Sequence, residues 1–337
     1  MTFMSTTGRS PVPPVGAPGA PGALRMTPGR WAVLAIGVPV ALALIGWTGF
    51  NLVATVARGS YPFSFVVPVQ DGRVAVSINA GDVTLRQGSG GGARLTGIVQ
   101  YGLVRPDVTD DATALGANIG VNCDAIVSTN CDVNAGLDVP ARTAVTLWTN
   151  GGDIAASGFS SGMTLWAEGG NVTASDLTGN LQLDTGGGDL TGTGLTGAIQ
   201  IGAEGGNVEV GNLNSTSTIR IDTGGGDLTG TGLAGSLQLA TEGGNVDASG
   251  VASGVVSLDS AGGDVTMTFT QVPQNLQISA EGGNVTVILP PGDTTYNLTT
   301  PESAGGSINY PSSLFSATSH HVITIDSGGG DVTVSQG

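Results

Sequence analysis

Ten times beyond residue 140 the chain turns on two glycines, a small polar residue and an aliphatic one: GGDI at Asp153, GGNV at Asn171, GGDL at Asp189, GGNV at Asn207, GGDL at Asp227, GGNV at Asn245, GGDV at Asp264, GGNV at Asn284, GGSI at Ser307 and GGDV at Asp331. The copies are 18, 18, 18, 20, 18, 19, 20, 23 and 24 residues apart, and a weaker one, AGDV, stands at Asp82. A unit this short cannot bury its own apolar face, so a fixed period of this length requires neighbours to stack.

With the Asp, Asn or Ser numbered zero, position +1 is aliphatic in every copy and position −6 in nine of ten, Pro301 breaking the series. Polar residues fill most of −7 and −5, so apolar and polar alternate on both sides of the glycine turn, and each copy holds two short strands. Phe159, Leu177, Leu195, Leu213, Leu233 and Val251, at +6, add a third inward corner. Stacked about 4.8 Å apart, these copies make a β-solenoid of about ten rungs, roughly 50 Å long. The glycine pair is expected to supply positive φ and to let adjacent turns approach closely. Asp and Asn alternate at zero, which separates like carboxylates and offers each Asp an amide donor. Glu168, Glu204, Glu242 and Glu281 occur at −3 in the Asn copies only.

Composition supports an all-β chain. Of 337 residues 58 are Gly and none is Lys, and only 11% are charged, which argues against a helical bundle or a doubly wound α/β enzyme. All 26 acidic residues lie beyond residue 60, against six arginines there, a balance of −20. A phosphate backbone would be repelled, so nucleic acid is excluded as a partner, whereas cations and basic polymers fit.

Residues 1–30 are rich in Pro, Gly and Ala with Arg9, Arg25 and Arg30 as their only charges, and read as a disordered cytoplasmic tail. Residues 31–57 carry no charge over 27 positions, and are expected to form a transmembrane helix, a cleaved signal peptide being the alternative. Positive charge before the helix then places the remainder outside the cytoplasm, as a single-pass membrane protein. Residues 58–140 read as a cap and first rung, and 141–337 as the regular solenoid. Cys123 and Cys131, the only cysteines, are expected to form a disulfide in the cap, with two unlinked thiols as the alternative.

Candidate chemistry is sparse. Asp184 with Asp189, Asp222 with Asp227, and Asp259 with Asp264 recur, followed by Glu204, Glu242 and Glu281 respectively one rung later. Three carboxylates on one edge suit Ca²⁺, although the calcium-binding β-roll motif GGxGxD places its Asp differently; the alternative is a solvated acidic edge. GTGLTG and GTGLAG match a dinucleotide fingerprint but open no helix, so they read as corners. His320 and His321 should point to opposite faces, which suits no acid–base pair. Trp148 and Trp166, both at −5, form a pair able to contact sugars or protein, or pack under the cap.

The GGD/GGN corners, the Cys123 and Cys131 pair and LDVPARTAVTL entering the array resemble the bacterial putative-adhesin family of β-strand-repeat proteins, a domain of unknown function, over roughly residues 65–335. The resemblance implies a surface-exposed β-solenoid, sometimes linked to envelope-stress systems, with no catalytic residues to carry over. The resulting expectation is a non-enzymatic adhesive or envelope-binding protein that needs no cofactor and meets a cell-envelope polymer or a surface protein. Envelope-stress sensing, a structural accessory role and a polysaccharide-active solenoid are the alternatives.

Overall fold

A computed structural model of the chain describes residues 36–48, 59–102, 104–113, 116–122, 131–299 and 306–337. Two compact units make up the chain, Met1–Val53 and Ala54–Gly337. In the second, 25 strands among the described residues join one continuous sheet that coils on itself as a solenoid.

The aliphatic columns stack as the repeat requires. At −6, Leu147, Leu165, Leu183, Ile201, Ile221, Leu239, Leu258, Ile278 and Ile325 are successive parallel partners. At +1 the series runs from Val83 through Ile154, Val172, Leu190 and Val208 to Val285, Val332 and Ile308. Both columns are buried apart from Ile308, and so are Phe159, Leu177, Leu195, Leu213, Leu233 and Val251 at +6. Each fully buried aliphatic side chain contributes about 1.5–3 kcal/mol, and this three-cornered spine is the main source of stability.

Between +1 and +6 lies a second corner that the repeat conceals. Gly158, Asp176, Gly194, Asn212, Gly232 and Gly250 occupy +5, all with φ between 52° and 73°. Gly, Asn and Asp are the residues that tolerate this left-handed conformation, so the corner has its own residue code. GTGLTG and GTGLAG are this corner, with Gly194 and Gly232 at its apex.

At the glycine pair, close approach rather than positive φ is the requirement. A Cβ at Gly170, Gly188, Gly206, Gly226 or Gly244 would overlap the carbonyl of its counterpart one rung earlier, whereas positive φ occurs in the column only at Gly81, Gly263 and Gly283 among the described residues. Thr185 supports the turn from inside: its hydroxyl donates to the Gly170 carbonyl at 2.7 Å and accepts the Gly188 N–H at 3.1 Å.

Spatial order departs from chain order at both ends. The Val322–Ser327 and Val332–Gln336 strands, last in sequence, lie between Asn275–Ala280 with Val285–Leu289 and the short strands Asn297–Thr299 and Ile308–Asn309. Likewise Arg73–Ile78 and Asp82–Gly88 lie between the first regular rung and Gly116–Asn122 with Asp132–Pro140. Antiparallel strands Gly59–Val67, Ala93–Tyr101 and Asp107–Thr113 complete the cap. Exposed ladder edges invite pairing with other chains, and both ends cover them with short or antiparallel strands.

One part of the expected architecture is corrected. The helix described within 31–57 spans residues 36–48, and no helix among the described residues is long and apolar enough to cross a membrane. The cap is held by strand pairing, and Cys131 is disulfide-bonded. Cys131 is half-buried against the core, and Cys123 lies outside the described residues, as do residues 1–30 and Pro301.

Candidate functional site

The acidic residues singled out in the sequence divide into two separate columns, and the division is set by the corner geometry. Those at position zero are used by the fold. Each backbone N–H at zero donates to the Oδ1 of the previous column member, in the spatial order Asp82, Asp153, Asn171, Asp189, Asn207, Asp227, Asn245, Asp264, Asn284, Asp331, Ser307, at 2.7–3.0 Å. In addition, the amides of Asn207, Asn245 and Asn284 donate to the Asp below at 3.2–3.3 Å. Ser307 alone lacks an Oδ1 acceptor, and it stands where the described column ends and no further N–H needs one.

Asp184, Glu204, Asp222 and Glu242 form the other group, on the outer face before the turn. Asp184 and Asp222 both pair with Gly202, one from each side, so two strand spacings, about 10 Å, separate them. Gly202 leaves a gap in the −5 column and opens a concavity of about 380 Å³ lined by these four carboxylates, Trp166 and Arg220. A Cβ at Gly202 would lie 2.6 Å from Asp184 Oδ1, so the Asp184 carboxylate leans over the gap. Its pKa is raised by burial, an effect partly offset by the hydrogen bond from Gln182 Nε2 at 3.0 Å.

Trp166 lines this concavity, and Trp148 is its register partner one strand further out. Trp148 is 51% exposed while Trp166 is mostly buried, with its Nε1–H out of water and without a partner. The rings are tilted at 56° with centroids 6.0 Å apart rather than stacked face to face.

Asp189, Asp227 and Asp264 are thus committed to the ladder, while Asp259 and Glu281 lie in the outer columns beyond the concavity. Among the described residues no group of three or more His, Cys, Asp or Glu side chains is placed to hold a metal ion. His321 is structural: its Nδ1 is 3.0 Å from the Pro273 carbonyl and its ring meets Tyr296 edge-on. Sequence reasoning missed Gly202 and Arg220. The signal was present, since Gly202 is the glycine in a −5 column otherwise occupied by Trp, Asp, Ala, Ser and Glu.

Comparison with known proteins gives a family. The family model described as Toastrack DUF4097 matches residues 57–335. The chain belongs to that family. No curated protein matches it. Among solved structures it is similar to a putative adhesin from Bacteroides fragilis, at 16% identity and TM-score 0.35, over 82% of this chain and 97% of that one. A putative adhesin from Parabacteroides distasonis matches at 12% identity and TM-score 0.43, over 83% and 97%. A putative lipid binding protein from the same species matches at 12% identity and TM-score 0.35, also over 83% and 97%.

Proposed function

We propose that this Toastrack chain is a non-enzymatic binding protein of the cell envelope, adhesive in role, whose solenoid presents an acidic face to a basic or polar envelope polymer. The supporting observation is the outer surface around Gly202, where side chains recur at strand spacing on a backbone held by a continuous ladder. Such an array is preorganised, so a long ligand can make many weak contacts without ordering the protein. The concavity is open and shallow, which suits holding one segment of a polymer.

The test is retention of the purified full chain on immobilised envelope polysaccharide and on intact cells, measured against salt. Retention that weakens steeply between low salt and about 0.5 M supports the reading, because exposed charge pairs are screened over a few ångströms at that strength. Absence of retention at every salt concentration contradicts it. Release of new reducing ends from the polymer would contradict its non-enzymatic part.

A further inference from the structure

We infer that the concavity at Gly202 docks a linear glycan bearing free amino groups, with alternate amines seated at Asp184 and at Asp222. This rests on the envelope-binding reading and assigns it a ligand class.

Charge comes first. Four carboxylates and one guanidinium line the space, leaving it three charges negative, so it favours a cation and disfavours uronic or phosphorylated polymers. Asp184 is half-buried and leans over the empty Gly202 position, where an ammonium replacing lost hydration would pair with it.

Shape and surroundings then distinguish among cations. Trp166 is the register partner of Asp184 in the −5 column and lines the concavity with the Gln200 amide at −7, and Trp148 lies one strand further out. An aromatic face, amide groups and carboxylates together match a pyranose ring, which offers C–H edges to the ring and hydroxyls to the amides. A bare polyamine would offer the Gln200 amide no hydroxyl.

Repeat length is the third observation. Carboxylates recur at every second rung, Asp184 to Asp222 at −5 and Glu204 to Glu242 at −3, about 10 Å apart. In an extended glycan linked through opposite sides of its rings, each ring advances by nearly one strand spacing and alternate rings face the same way. Alternate amines therefore keep step with alternate rungs. An extended peptide advances about 3.4 Å per residue, so side chains on one of its faces fall about 7 Å apart and lose register. Arg220, two residues before Asp222 on the same strand, also lines the concavity.

The experiment is calorimetric titration of the full chain with a fully deacetylated β-1,4-glucosamine hexamer, its N-acetylated counterpart and a lysine hexamer. The deacetylated hexamer should bind at least about tenfold more tightly than either of the others. Asp184→Asn with Asp222→Asn should weaken it by about tenfold or more, and Gly202→Gln, which fills the gap, should do the same. Glu209→Gln with Asp247→Asn, on the other strand of the rung, should leave it unchanged. Thermal melts confirm that each variant is folded, and Gly202→Gln provides a readout independent of charge. Equal binding of the lysine hexamer or the N-acetylated hexamer would overturn the inference, as would full affinity in the folded pocket variants. Wild-type chain that binds envelope polysaccharide but not the deacetylated hexamer removes this inference and leaves the proposed function standing. Failure to bind any envelope preparation removes both.

Discussion

Replacing Asn207 by Asp isolates the reason for the Asp/Asn alternation. Asn207 lies between Asp189 and Asp227, accepts the Asp227 N–H through Oδ1 at 2.9 Å, and donates from Nδ2 to Asp189 at 3.2 Å. The substitution Asn207→Asp would keep the acceptor, lose the donor, and place three carboxylates at single strand spacings of about 4.8 Å. Each new repulsion costs about 0.9 kcal/mol at the dielectric of water and about 3.5 kcal/mol at an effective dielectric of 20. All three side chains are exposed, so the lower figure governs, and two repulsions plus a lost hydrogen bond of about 1 kcal/mol give a cost near 3 kcal/mol. Urea unfolding of wild type and N207D at pH 7 and about 10 mM salt measures this. The penalty should shrink by about half or more at 1 M salt, where the screening length is about 3 Å. It should also fade as pH drops below about 4, because an acid destabilised as its anion costs nothing once protonated. A cost under about 0.5 kcal/mol at low salt, or one indifferent to both salt and pH, would refute the electrostatic account of the alternation.

Three further perturbations test other parts of the molecule. Gly188→Ala should cost about 3 kcal/mol or more, since its Cβ overlaps the Gly170 carbonyl, whereas a Cβ at Gly187 meets nothing nearer than 3.8 Å and Gly187→Ala should stay within about 1 kcal/mol, both read by thermal unfolding. Burial holds the Asp184 pKa above its usual value, so ionisation opposes folding; Asp184→Asn should stabilise the fold at pH 7, and the gain should disappear as pH falls below about 3.8, in paired urea titrations. The Tyr296 hydroxyl is buried without a partner, so Tyr296→Phe should be neutral or stabilising by up to about 1 kcal/mol in unfolding midpoint measurements.

Much of this fold was legible because its columns are one-dimensional. Aliphatics at −6 and +1 had to share a core, and Leu147 to Ile325 and Val83 to Ile308 do so in register. The order of the rungs was hidden, because Leu298 and Ile278 are equally suitable neighbours for Ile323 and Ile325 and their strands flank the same partner. Ser307 carried a faint clue, since only the terminal column member can dispense with Oδ1. The run at 31–57 met a membrane criterion by composition alone, and within it, among the described residues 36–48, no helix is long and apolar enough to cross a membrane. Asp184 and Asp189 differ little in sequence; five residues along the rung, one faces an open gap and the other an N–H donor.

Oxidative cross-linking of paired cysteines probes the stacking and its order together. Gln277 and Thr324 are register partners 47 positions apart, and Thr299 lies one strand beyond Thr324. A disulfide needs Cα atoms about 4.4–6.8 Å apart, which adjacent strands satisfy and a two-strand separation of about 10 Å does not. The double variant Q277C with T324C should therefore close rapidly on oxidation, and Q277C with T299C should remain as thiols. The reverse outcome, or failure of both pairs, would contradict a column in which the chain's last rung is inserted beneath the one that precedes it.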